Sequence, residues 1–384
     1  MRGDTVSDVA RLIVEDCRFC PMCRDVCTSG VVTGLESNTS RGYALLADRW
    51  YTRGVLPEGG ADAFYACMQC GLCKATCVSD RDLPDAILTL RSEFVERHMQ
   101  PRNVREARAK VMSAQTALNG ASGISPYRPE LGGITFAAGG LLTPEGIGPL
   151  VKALRALAEK HDQPFSVLES EIVCEHMLFD LGYRDDAVAA AGRFLKRLQE
   201  SGVKTLITAC SQCYDMYVRR YPQWGITWPE DVEIIHLVMW LEKLSLTPLP
   251  DAAATGRIWL YHDDASLARW SVMHDTPRAV LDRLLPGRWL EFPLNRERAY
   301  ACGATGAMPL VRKDIAMGAA ERLFDAALET AAAHEATPCI VTACARCSDH
   351  LDAARKALAA PVEVRHLAEL AAGMMTTDAE GVAP

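Results

Sequence analysis

The chain has 384 residues, 41 basic against 49 acidic side chains for a formal charge of −8, and 15 cysteines. That length holds two or three domains, and a mildly acidic surface with both signs dispersed excludes a nucleic acid or an anionic membrane as the main partner. The cysteines fall in groups suited to metals and not in an even disulfide framework, which points to a reducing, cytoplasmic compartment.

The N-terminus MRGDTVSDVARLIVEDC carries acids and lacks the apolar run of a signal peptide. No stretch of about 18 uncharged apolar residues follows, so no direct membrane span is expected and a peripheral attachment would come through partners. In TVSDVARLIVEDC, Val9, Leu12 and Ile13 recur at helical spacing after a Ser7 or Asp8 cap, and the helix delivers Cys17 at its end. CRFCPMCRDVC then places cysteines at Cys17, Cys20, Cys23 and Cys27, and CMQCGLCKATC repeats the spacing at Cys67, Cys70, Cys73 and Cys77. C-x2-C-x2-C-x3-C lets three thiolates hold three irons of one 4Fe-4S cube while the fourth reaches a second cube. The alternative, two zinc sites, would use paired C-x2-C units from separate segments and leaves the evenly walked triplet unexplained. By the crossing pattern, Cys17, Cys20, Cys23 and Cys77 hold one cube, and Cys67, Cys70, Cys73 and Cys27 the other. Thr28 and Val78 stand where a proline usually follows the fourth cysteine.

Between the motifs, SRGYALLADRWYTRG and ADAFYACMQC read as helices joined by the Pro57 to Gly60 turn. LPDAILTLRSEFVERHM reads as a further helix opened by Pro84 and Asp85. Residues 1–116 are thus expected to form an all-helical ferredoxin domain with two 4Fe-4S clusters. In PRNVREARAK, Arg102, Arg105, Arg108 and Lys110 form a solvated helix face or a docking patch for an acidic partner. Residues 117–133, dense in Gly, Pro and Ser, read as a linker.

Beyond the linker the chain repeats. VKTLITACSQCYDMY has its counterpart in PCIVTACARCSDHL: a short apolar run ending in Thr-Ala-Cys, with a second cysteine three residues on. Each is preceded by an Ala-rich amphipathic helix and followed by a His-Leu pair, His236-Leu237 and His366-Leu367. The two Thr-Ala-Cys cysteines, Cys210 and Cys344, lie 134 residues apart, and the His-Leu pairs 130. This predicts two pseudo-symmetric α/β domains over 134–250 and 257–373, with a tail over 374–384, each presenting cysteines at strand ends. The overall class is α+β and multidomain. Cys174, Cys210 and Cys213 form one set of three thiols, and Cys302, Cys344 and Cys347 the other; Cys339 reads as a buried apolar cysteine. His98, His161, His274, His334 and His350 need only surface or capping roles. Of the tryptophans, Trp50 alone is expected near the clusters. No nucleotide fingerprint, P-loop or G-x-S-x-G occurs, and no catalytic residue is assigned.

The whole chain resembles the iron-sulfur subunits of the heterodisulfide reductase, glycolate oxidase and anaerobic glycerol-3-phosphate dehydrogenase type. The resemblance extends to LESNTSRGYALL, similar to that family's Glu-Ser-x-x-Pro-Arg-Gly stretch. It also extends to YHDDASLAR, Tyr261 to Arg269, similar to its Tyr-His-Asp-Pro-Cys-His-Leu-Gly-Arg. In the family each Cys-rich (CCG) domain carries a lone cysteine, then Cys-Cys-Gly, then C-x2-C, and in heterodisulfide reductases these build a non-cubane cluster that cleaves a disulfide. Here Gly139 and Ala265 stand for the lone cysteines, and Val173-Cys174-Glu175 and Ala301-Cys302-Gly303 for Cys-Cys-Gly. Three thiols cannot supply the five-thiolate set. They could still hold three irons of a further iron-sulfur cluster, with His176 or His262 as fourth ligand, or a zinc ion, or nothing. The resemblance implies a subunit relaying single electrons from a flavoprotein dehydrogenase, acting on a small organic acid or amine. The acceptor would be a quinone, reached through a membrane subunit, or an electron-transferring flavoprotein. The alternative is a thiol-disulfide or quinone reductase with an open iron in the C-terminal half.

Overall fold

The computed structural model describes residues 6–117, 134–137, 144–168, 175–249 and 256–374. The expected linker beyond Ala117, Gly139, Val173, Cys174 and the expected tail beyond Met374 lie outside them.

Seven helices lead: α1 (Val6–Glu15), α2 (Thr28–Thr33), α3 (Ser40–Arg53), α4 (Gly60–Phe64), α5 (Leu72–Thr76), α6 (Leu83–Glu96) and α7 (Arg102–Ala117). α1 leads to Cys17 as its spacing predicts, but it buries Ala10 and Val14 and leaves Leu12 exposed. α3 starts where the Thr39 side chain accepts from the Gly42 N–H and stops at Gly54, whose left-handed backbone caps it. α6 is opened by Asp82, which accepts from the Asp85 N–H, with Pro84 in the first turn. The helix expected over ADAFYACMQC ends at Phe64. Past it, Gln69 takes a φ of +56° and Gly71 one of +75°, turns that a continuing helix could not make. Phe19, two residues after Cys17, has the same left-handed backbone as Gln69, two residues after Cys67, so the two motifs share a conformation as well as a spacing.

Two four-stranded parallel sheets follow. Strands β1 (Ile134–Ala137), β2 (Phe165–Val167), β3 (Thr205–Thr208) and β4 (Glu233–His236) lie in the order β2-β1-β3-β4. Strands β5 (Arg257–His262), β6 (Trp289–Glu291), β7 (Thr337–Thr342) and β8 (Glu363–His366) lie in the order β6-β5-β7-β8. The orders match strand for strand, as a duplication requires. Thr208 pairs with Ala137 and Thr342 with His262, which fixes the equivalent positions of the two halves.

The cores ignore the segment boundaries. One joins Val14, Phe64, Phe94 and Val104 of the leading helices to Met177, Phe194 and Tyr217, and to Met308 and Ala316. A second runs between the sheets through Ile207, Ile235, Trp259 and Val341. The α+β class is as expected, with the helical segment and both sheets packed against one another.

Candidate iron-sulfur and metal centres

The first motif lies at the edge of the molecule. Cys17, Cys20, Cys23 and Cys77 are all half-buried, and burial, with Cys17 and Cys20 beside it, pushes the Cys23 thiol up to about 12. Cys77 bears on both Cys17 and Cys23, so the second motif's last cysteine sits with the first motif's triplet. Cys27 in turn lines a small pocket together with Cys67, Cys70 and Cys73. Burial raises the thiols of Cys27 and Cys73, and pushes Cys67 up to about 12. Thiols grouped this way resist ionising by themselves, and a bound cation is what makes a thiolate set stable.

The inner group is held from three sides. Arg91 on α6, fully buried, donates to the carbonyls of Phe64 (3.1 and 2.7 Å), Cys67 (2.7 Å) and Asp180 (2.6 Å). From the second half, Thr305 Oγ1 donates to the Met68 carbonyl at 2.6 Å and Arg269 Nε to the Cys70 carbonyl at 2.5 Å. Trp270 packs on Gly71, where a Cβ would meet the indole at 2.8 Å. The expectation that Trp50 alone lies near the clusters is corrected by Trp270, which the fold brings back across 199 residues from Gly71. Sequence reasoning also passes over Arg91; the available signal is an arginine on the apolar face of α6, among Ile87, Leu88, Leu90 and Phe94. Arg108 belongs neither to a wholly solvated face nor to a free patch: it pairs with Asp186 at 2.6 Å and stacks over Tyr183, whereas Arg102 stays exposed.

In the duplicated half, each Thr-Ala-Cys ends its strand with the cysteine at a helix start: Cys210 before Ser211–Asp215 and Cys344 before Ala345–Ala357. The Ala345 N–H donates to the Ala209 carbonyl at 2.8 Å, so the two turns meet face to face across a seam. His176, on the helix Glu175–Asp180, brings Nδ1 to 3.8 Å from Cys213 Sγ, with Cys210 beside them. Across the seam His262, at the end of β5, joins Cys302 and Cys347, whose sulfurs are 3.0 Å apart. All these side chains are buried. Cys347 keeps its proton by sharing it with Cys302 and Cys344. Accepting from Cys347 holds Cys302 below the ordinary thiol range, helped by His262; Cys344 is held down by Cys210 and then Cys347. Asp264 accepts from Ser211 Oγ at 2.9 Å, and burial with Cys344 nearby keeps its carboxyl protonated well above the usual range. Cys339 is buried on β7 away from these groups, its thiol pushed up by burial. His350, expected to be peripheral, packs against Ala316 and Gly303 beside Cys302.

Among the described residues, His176/Cys210/Cys213 and His262/Cys302/Cys347 are the groups whose ligand atoms all lie within 4.8 Å of one another. The ferredoxin-type quartets are more open. That openness suits a cube, in which each thiolate binds its own iron, while the tight groups suit one shared ion.

The family model of a 4Fe-4S dicluster domain matches residues 16–82, and that of a cysteine-rich domain matches residues 259–352. A subunit of the dihydromethanophenazine:CoB-CoM heterodisulfide reductase of Methanosarcina barkeri is 27% identical over 214 residues, 53% of this chain and about half (49%) of that protein's length. The same subunit of the Methanosarcina mazei and Methanosarcina acetivorans enzymes is 24% and 23% identical, each over 81% of this chain and 78% of the relative's. In fold, the chain matches the crystal structure of a hypothetical protein from Helicobacter pylori with a TM-score of 0.55 and 10% identity, over 88% of this chain and 68% of that one. The chain is an iron-sulfur protein that joins a 4Fe-4S dicluster domain to a cysteine-rich domain, similar along most of its length to this one subunit of the heterodisulfide reductases.

Proposed function

We propose that the chain relays single electrons between two protein partners, entering at the outer quartet Cys17, Cys20, Cys23 and Cys77 and passing to the inner quartet Cys67, Cys70, Cys73 and Cys27. The donor is a flavoprotein dehydrogenase acting on a small organic acid or amine, and the acceptor a quinone-linked subunit or an electron-transferring flavoprotein. The observation that carries this reading is the graded burial of the two motifs: 17–27 is half-buried or exposed throughout, whereas 67–69, 71 and 72 are buried. A 4Fe-4S cube supplies one electron at a time, which a flavin can release after taking a hydride. The chain's own residues hold the inner motif rigid through Arg91, Arg269 and Thr305 and shield it from water. The relay comprises residues 1–116; 134–250 and 257–373 are the two cysteine-rich domains.

The test is co-purification from the native source. A stoichiometric flavoprotein, with substrate reducing the clusters, is expected; isolation of the chain alone, catalysing thiol or disulfide turnover without flavin, would replace the relay by a reductase. Cys27→Ala should disturb the EPR signal of the inner cluster and spare the outer one, and the reverse outcome would refute the crossed ligand sets. One observation favours the reductase: a small half-open cleft lies between Gln69 of the inner motif and His176, Gln212 and Asp215 of the first half. Saturable binding there of a small disulfide or quinone, lost in Gln212→Trp, would support it.

A further inference from the structure

We infer that the second cysteine-rich half holds a single ion of the zinc class on His262, Cys302 and Cys347, where the family resemblance implies an iron-sulfur cluster. Four ligands on one zinc-class ion stand about 3.5–3.8 Å apart, given metal–sulfur and metal–nitrogen bonds of about 2.3 and 2.0 Å. The Cys302 and Cys347 sulfurs are 3.0 Å apart and His262 reaches both within 4.8 Å, while Cys344 stands outside this group, between Cys347 and Cys210 of the other half. A cube would have to force these side chains outward, each to a separate iron. The ferredoxin-type quartets of the same chain are open in that way and this group is not.

The histidines supply a second, independent observation. The register makes His262 equivalent to Ala137. Counting two residues on from the third thiol of each half, His176 follows Cys174 as Ala304 follows Cys302. Each half therefore has one histidine at its thiol pair, but from a different element: a strand end in one, a helix in the other. A histidine inherited for packing would occupy the same position twice; two placements that converge on the same kind of site mark a ligand. Among the described residues, buried His262 Nε2 has no hydrogen-bond partner and is free to take a metal. Ala265 and Ala301 stand, buried, where the family has thiols, and His262 is the nitrogen donor within reach of the remaining pair. A zinc-class ion has no redox chemistry. The second half on this account is a rigid platform for the inner cluster and takes no electron itself.

The experiment is metal analysis of the full chain, purified anaerobically and dialysed against a chelator, with X-ray absorption at the zinc edge. Eight irons and bound zinc are expected, with a first shell that includes two sulfurs and one nitrogen and no iron neighbour. His262→Ala should release one equivalent of zinc while leaving eight irons and both EPR signals, and His262→Cys should retain it. Twelve irons, the absence of zinc, or zinc unchanged in His262→Ala would each overturn the inference. If His262→Ala fails to fold, the absorption spectrum of the unaltered chain decides alone. Reduction of the clusters by a flavoprotein is read separately, so the relay can fail without the metal site failing, and the reverse.

Discussion

Arg91 poses an electrostatic question, because its fully buried guanidinium meets only carbonyl oxygens and the face of Tyr65, and no carboxylate among the described residues pairs with it. A buried cation without a counter-ion is among the costliest arrangements in a protein. The anion that answers it is the thiolate set at Cys67, whose carbonyl it grips, and Arg91 already acts to lower the Cys67 thiol against the larger push of burial. Burial makes an extra electron on the inner cluster costly, and Arg91 offsets that cost. Arg91→Met should lower the midpoint potential of the inner cluster on the order of 100 mV, from a unit charge a few ångströms away at an effective dielectric of about 20. Arg91→Lys should recover part of the shift, and EPR-monitored redox titration reads both. The His-Leu histidines make a second residue-scale prediction. His366 Nδ1 accepts from the Ala368 N–H while Nε2 faces the Ala343 carbonyl, so the ring is neutral; burial pulls its pKa down to about 4, and that of His236 to about 3. Unfolded histidine takes a proton near pH 6.5 and the folded ring refuses it, so stability is intact above 6.5 and falls as pH drops toward 4. The loss from His366 is on the order of 3 kcal/mol. His366→Asn, which can keep the cap but cannot protonate, should flatten this limb in melting midpoints measured against pH.

At the scale of elements, the loop carrying Gly306 couples the second half to the inner motif. Gly306 has a φ of +66°, and a Cβ there would lie 2.6 Å from the Met68 carbonyl and 2.8 Å from that of Cys67. Gly306→Ala should therefore loosen this clamp, costing about 1–3 kcal/mol from positive-φ strain and overpacking. The expected readout is a lower melting midpoint with a broadened inner-cluster EPR signal. The elements themselves are largely legible in the sequence. Cysteine spacing, caps such as Asp82 and Thr39, and the Thr-Ala-Cys repeat are local signals, and α3, α6 and the matched strand pairs stand where those signals put them. What escapes depends on contacts between distant segments. Nothing near Trp270 says that it will stack on Gly71, and nothing in RDDAVAAAGRFLKRLQESG says that Asp186 will claim Arg108. The end of α4 at Phe64 escapes too, because the chain's need to turn its cysteines inward overrides an apolar pattern that looks helical.

For the molecule as a whole, the packing of both halves against one motif sets an order of loss. The inner motif sits under Arg91, Thr305, Arg269 and Trp270, while the first motif, 17–27, is half-buried or exposed throughout. Dioxygen attacks a cluster that it can reach. When the protein is exposed to air, the outer cube should bleach first, leaving a long-lived species with half the ferredoxin iron and an unchanged inner EPR signal. Iron assays and spectra taken along the decay would follow this, and simultaneous loss of both signals would contradict it. A preparation handled carelessly would then look like a one-cluster protein, correctly folded and, if the proposed relay holds, unable to accept an electron from outside, because the part that perished was the doorway.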